Sequence, residues 1–265
     1  MKTTIYRTAI FIAICLTAYS CTTALKVRTT VSQKQLPELK TIALVSVAIP
    51  PITKPVFPVI DAAAFNAKVN SIADQIMDIQ QKRIDTFRET LANNISNFFK
   101  STVLYGDKLH VLVNFPEIAK KNNFPGSLQL ENNNFPFIVN SSGDINPFPF
   151  EKGNIGQFFS NKINYQIIAK ELCSKLGTDA IAVSYTNLNV TDAAAFGIRG
   201  GLALSSSLYI FDKEGYIIIS GSYTSKPTMI SGKDISDYMM KLDEFNTLCY
   251  MIVNQMAIDY STPKK

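Results

Sequence analysis

Apolar and polar positions alternate with two rhythms along this chain, and the switches between them predict its elements. Thr41 to Ile49 (TIALVSVAI) is β-branched and apolar, and Pro50-Pro51 ends it, so it reads as a buried strand. Pro55 and Pro58 extend that break as a non-helical connection. From Asp61 to about Lys100 the rhythm is helical. Asp61 serves as N-cap, alanines follow, and Phe65, Val69, Ile72, Ile76 and Ile79 recur at three-four spacing. Ile84, Phe87, Leu91, Ile95 and Phe98 continue it after a one-residue slip, which allows one bent helix or two. Leu109 to Val113 (LHVLV) reads as a short strand.

A helix is expected from Asn161 to Leu176, buried along Tyr165, Ile168, Ala169, Leu172 and Leu176 and stopped by Gly177. Asp179 to Leu188 begins as a buried strand, and Leu202, Leu204, Leu208 and Ile210 keep period two. Asp212-Lys213-Glu214-Gly215 is a hairpin connection, with Tyr216 to Tyr223 returning. A last helix is expected from about Asp234 to Asp259, lined by Tyr238, Leu242, Phe245, Cys249, Ile252 and Met256, with a frayed tail at 261–265. This order predicts an α/β (α+β) domain over 40–260. Its mixed central sheet has about five strands, flanked by three or four helices.

One stretch, 114–156, follows neither rhythm. It is rich in Asn, Pro and Phe, and Asn-Phe-Pro occurs at 114–116, 123–125 and 134–136 at unequal spacing. Proline bars helix and central strand there, so a long irregular insertion is expected. Phe115, Phe124, Phe135, Phe148 and Phe150 either pack back onto the domain or form a partner-binding surface.

The start of the chain changes the picture from fold to address. Lys2 and Arg7 precede an apolar run from Ala9 to Leu16, and Ala18-Tyr19-Ser20-Cys21 places small residues before a cysteine. That order reads as an export signal over 1–20, cleaved between Ser20 and Cys21. The segment resembles a bacterial lipoprotein signal, although Ala18 stands where Leu is commonest and Tyr19 where a small residue is usual. The resemblance implies lipidation of Cys21, with plain secretion or an uncleaved membrane anchor as alternatives, the apolar run being short for a span of about 20 residues. Residues 21–39 are poor in apolar groups and read as a tether. The expected location is the bacterial cell envelope, at the outer membrane facing the periplasm or the surface.

Composition then narrows the partners. The formal charge is +5, and loss of Lys2 and Arg7 leaves +3, too mild and too mixed for a nucleic-acid binder. Hydrophobic residues make up 46% of the chain, enough for a real core. Of four cysteines, Cys15 leaves with the signal and Cys21 is the acyl acceptor. Cys173 and Cys249 either pair or stand as two buried thiols on helix faces.

The search for chemistry yields little. His110 is the one histidine, which rules out a two-His metal site. Asp74 and Asp78 sit four apart in the first helix but read as a solvated face. Zinc spacings, a phosphate loop, a dinucleotide fingerprint and a nucleophile elbow are missing from the sequence. Gly197-Ile198-Arg199-Gly200-Gly201 is the one glycine cluster. Arg199, Gly200 and Gly201 are candidate anion contacts through backbone amides, or else a bulge before the next strand. No catalytic residue, metal or cofactor is expected.

Three stretches carry a family resemblance. They are Lys40-Thr41-Ile42-Ala43-Leu44-Val45, the run from Ala169 through Leu176-Gly177-Thr178-Asp179-Ala180 to Val183, and the hairpin Leu208–Asp212 through Gly215-Tyr216. They resemble the periplasmic α/β domain of the curli secretion-channel lipoprotein and the amino-terminal domain of the Tol-system translocation protein. The resemblance implies an envelope α/β domain. The expected function is non-enzymatic: a lipid-anchored assembly, accessory or binding factor with an envelope protein partner. Alternatives are an exported hydrolase with dispersed carboxylates and an oligomeric ring or pore component, so a homo-oligomer stays open.

Overall fold

The computed structural model describes residues 27–32, 37–49, 73–106, 108–109, 139–140, 162–191, 200–230 and 240–262. Within them, eight strands form one mixed sheet and three long helices pack on it, the α+β architecture that the two rhythms predict. The strands are β1 (Arg28–Val31), β2 (Thr41–Ile49), β3 (Thr102–Tyr105), β4 (Val139–Asn140), β5 (Ala180–Thr191), β6 (Gly200–Asp212), β7 (Ile217–Thr224) and β8 (Thr228–Ile230). The helices are α1 (Ala73–Phe99), α2 (Lys162–Leu176) and α3 (Phe245–Ser261). The sheet order is β1-β7-β6-β5-β2-β3, with β4 on β2 and β8 on β6. β2 runs parallel to β3 and β5, and the other pairings are antiparallel.

β2 is buried on both faces, which explains its unbroken apolar run. Ile42, Leu44 and Val47 face α1 and α3, whereas Ala43 and Val45 face α2. A register shift between Leu44 and Ser46 swaps the phase of the strand midway. The α1/α3 side holds the larger core, including Phe87, Leu91, Ile95, Phe245, Ile252 and Met256. The rings of Phe87 and Phe245 stack at 4.4 Å, joining the two helices. The α2 side holds Ile168, Leu172, Leu176, Val183 and Phe211.

Local signals behave as their chemistry demands. Gly177 ends α2 at φ 64° and Gly215 turns the β6–β7 hairpin at φ 85°. A side chain on Gly215 would overlap the Gln166 carbonyl, because the hairpin tucks under α2. Asp212 steadies the turn through Oδ1, which accepts from the backbone N–H groups of Glu214 (3.0 Å) and Tyr216 (2.9 Å).

The structure departs from the sequence reading in four places. Arg28–Val31, expected in the tether, is the edge strand β1. The strand after α1 is Thr102–Tyr105, and Leu109 lies in a helical turn; residues 110–113 fall outside the described residues. Lys100 turns the chain at φ 58°, and the Ser101 hydroxyl bonds the Leu39 carbonyl, so the chain re-enters the sheet at once. The last long helix runs from Phe245 to Ser261, with a turn at 243–244 separating it from helical residues 240–242, and the expected start near Asp234 falls outside the described residues. Finally, the sheet has three strands more than the five expected, since short edge strands carry too few residues to show a period.

Cys173 and Cys249 are free, buried and on opposite sides of the sheet. That placement answers the cysteine question in favour of two separate thiols. Burial pushes Cys173 up to about 12, partly opposed by the Thr178 hydroxyl, and burial holds Cys249 well above the usual thiol range.

Candidate functional site

Most residues singled out from the sequence fall outside the described residues: Cys21, His110, Phe115, Phe124, Phe135, Phe148, Phe150 and Arg199. Asp74 and Asp78 lie one turn apart in α1. Gly200 and Gly201 open β6, paired with Ile230 and Met229 of β8, and Gly201 also faces Thr191 of β5. The two glycines are thus placed in a ladder, between strands.

Several of the described acids have structural occupations. Asp179 Oδ2 accepts from Lys40 N (3.0 Å), Thr41 N (2.9 Å) and the Thr41 hydroxyl (3.0 Å). This latches the start of β5 to the start of β2. Burial pushes the Asp179 carboxyl up, but the hydrogen bonds from Thr41 and Lys40 outweigh it and hold the group below its ordinary 3.8. Glu214 pairs with Lys170 at 2.8 Å, Asp243 with Arg83 at 3.5 Å, and Asp259 accepts from Thr29 and from Gln255. Lys241 is buried, and its three donor bonds go to the Lys226 carbonyl (2.8 Å), Thr228 Oγ1 (2.9 Å) and Glu244 Oε1 (2.7 Å). A buried ammonium so satisfied is a clamp that holds the β7–β8 turn against the start of α3. Among the described residues, no group of three His, Cys, Asp or Glu side chains is placed to hold a metal ion.

Hydroxyls are the more distinctive population. On the α1/α3 side, buried Thr186 donates to Ser206 at 2.9 Å, and the adjacent Ser184 hydroxyl is buried without a hydrogen-bond partner. On the α2 side, one row across the sheet reads Tyr185, Ser207, Ser222, Arg28. Ser205 and Thr224, in the next row, share a bond of 2.7 Å. Ser207 and Ser222 are half-buried, and Thr224 and Arg28 are exposed. α2 covers the hairpin end of this face, and the hydroxyl rows lie at the other end. Ser205-Ser206-Ser207 lie within β6 with no base beside them in sequence. The missed signal is the matching period two of Ser220, Ser222 and Thr224, which only strand pairing places beside Ser205 and Ser207.

The residues behind the family resemblance are fold-formers in this structure. Gly177 caps α2, Asp179 latches two strands, and Asp212 to Gly215 build a turn. No family model matches the chain, and no curated relative does. Among solved structures it is similar to the PelC dodecamer from Paraburkholderia phytofirmans, with TM-score 0.35 and 8% identity over 88% of this chain and 96% of that one. Lipoprotein GNA1162 from Neisseria meningitidis gives TM-score 0.29 and 11% identity over 83% and 99% of the two chains. The hypothetical protein CT253 from Chlamydia trachomatis gives 0.30 and 10% over 84% and 93%. At these TM-scores the likenesses carry no argument about function, which rests on the chain's own residues. Among the described residues, no helix is long and apolar enough to cross a membrane.

Proposed function

We propose that this protein is a lipid-anchored component of the bacterial envelope that works by contact with another envelope protein and not by catalysis. One observation carries the reading: a charged, apolar leader runs into Ala18-Tyr19-Ser20-Cys21, and a folded edge strand begins only seven residues later at Arg28. Acyl chains on Cys21 insert in one leaflet, and more than one chain is needed for stable anchoring. Asp179, Asp212, Glu244 and the buried Lys241 support a non-enzymatic role, because they hold two strands, a turn and a helix start together. The partner-binding groups are the phenylalanines of 114–156, namely Phe115, Phe124, Phe135, Phe148 and Phe150. Within that stretch, Val139–Asn140 pairs with the end of β2, which ties the insertion to the sheet.

The test has two arms. Palmitate labelling in the native host is expected in the wild type and lost in Cys21→Ser. Cross-linked pull-down from intact envelopes is expected to recover a specific partner, which a deletion of 123–149 loses while the thermal transition of the domain persists. A stable deletion variant with unchanged partners removes the insertion from the account.

A further inference from the structure

The leash between the acyl cysteine and the fold is short enough to orient the body. Cys21 and Arg28 are seven residues apart, and an extended chain advances at most about 3.3–3.6 Å per residue, so the two Cα atoms lie within about 25 Å. β1 is firmly docked at the far end of this leash. It pairs with β7 from Arg28↔Ser222 to Val31↔Ile219, Val27 and Val31 pack on the core, and the Thr29 hydroxyl donates to Asp259.

Strand direction decides which end of the sheet the leash reaches. β1 is antiparallel to β7, so Arg28 lies beside the last residues of β7, next to the turn that carries Lys226. The β6–β7 hairpin stands at the other end of β7. Gly215 is seven residues before Ser222, or about 24 Å at the rise of a strand.

We propose that the end of the sheet bearing Arg28 and Lys226 faces the lipid surface, and that the hairpin with its Lys170–Glu214 ion pair points away from it. The proposal rests on acylation of Cys21 in the reading above. The inverted pose would require the whole leash to run straight down the length of β7, with nothing left to turn into the bilayer. Arg28 and Lys226 are exposed cations, suited to anionic headgroups, although Glu244, joined through Lys241 to the Lys226 carbonyl, tempers the charge near Lys226. Three strand termini sit at the same end: the last residues of β2 and β5 and the first of β6. The hairpin and α2 are therefore the parts of the described fold presented away from the membrane.

The chain contains no tryptophan, which makes a direct test available. Lys226→Trp and Lys213→Trp each place one emitter at an exposed site on opposite ends of the sheet. The acylated protein is reconstituted in phosphatidylcholine–phosphatidylglycerol vesicles carrying dansyl headgroups. In parallel, the mature chain is coupled through Cys21 to a maleimide lipid, Cys173 and Cys249 being buried. Energy transfer from Lys226→Trp is expected to exceed that from Lys213→Trp at least about twofold. A twenty-residue Gly-Ser insertion after Leu25 is expected to abolish the difference. Equal or reversed transfer in the coupled chain overturns the orientation. Flotation of Cys21→Ser equal to wild type overturns the anchor instead, and the coupled chain still reads the geometry, so the two failures separate.

Discussion

The two faces of the sheet are built on different terms. α1 and α3 cover one face with long apolar side chains that meet each other as well as the strands, at Phe87–Phe245 and at Phe98–Tyr250. α2 covers the other face only toward the hairpin, and beyond it come the hydroxyl rows of Ser205, Ser207, Ser222 and Thr224. The contrast teaches that one sheet can have a face built on long apolar side chains and a face that joins a smaller apolar core to rows of hydroxyls. Apolar burial contributes roughly in proportion to area, so the α1/α3 face should dominate the free energy of folding.

Phe245→Ala should give the largest loss, about 3–5 kcal/mol in urea unfolding, because a fully buried ring and its stacking partner are lost together. Leu172→Ala, on the α2 face, should cost about 2–4 kcal/mol. A larger loss for Leu172→Ala than for Phe245→Ala would break the ranking of the two faces. Gly221→Ala sharpens the same comparison. Its new methyl would sit 2.7 Å from Met256 and 2.9 Å from Ile252 on α3, and overpacking of this kind costs about 1–3 kcal/mol. Combining it with Met256→Ala should recover part of that loss, as a double-mutant cycle would show.

Asp179→Asn should have a smaller effect, about 1 kcal/mol at neutral pH, since the latch is partly open to solvent. The carboxyl is held low in the folded state, so its contribution is complete above the unfolded value of 3.8. It is lost as pH falls below that value through the folded one. Acid titration of the wild type should show this loss, and Asp179→Asn should flatten it. The smallest effect concerns the thiols. Cys173 and Cys249 should resist a thiol reagent at pH 8 until denaturant is added, and non-reducing electrophoresis should show no link between them.

Periodicity made the core legible residue by residue where elements were long. Phe87, Leu91 and Ile95 on α1, Ile168 and Leu172 on α2, and Ile252 and Met256 on α3 are all buried as their spacing requires. Gly177 and the Asp212–Gly215 turn were equally readable, because a positive φ and a side-chain-to-backbone bond are local demands. The short strands were not. Arg28–Val31 has the composition of a linker, and its strand character exists only because β7 offers an unpaired edge. Thr102–Tyr105 is a short mixed run, and the turn at Lys100 is what brings it into the sheet. The candidate site divides in the same way. The proposed leader and Cys21 rest on residue order alone, whereas the hydroxyl rows needed three strands in register. Order along the chain determines whatever depends on near neighbours: caps, turns and helical stripes. Pairing of distant segments assembled the rest, since an edge strand, a β-bulge or a row of hydroxyls across a sheet is a property of two or more strands and of none alone.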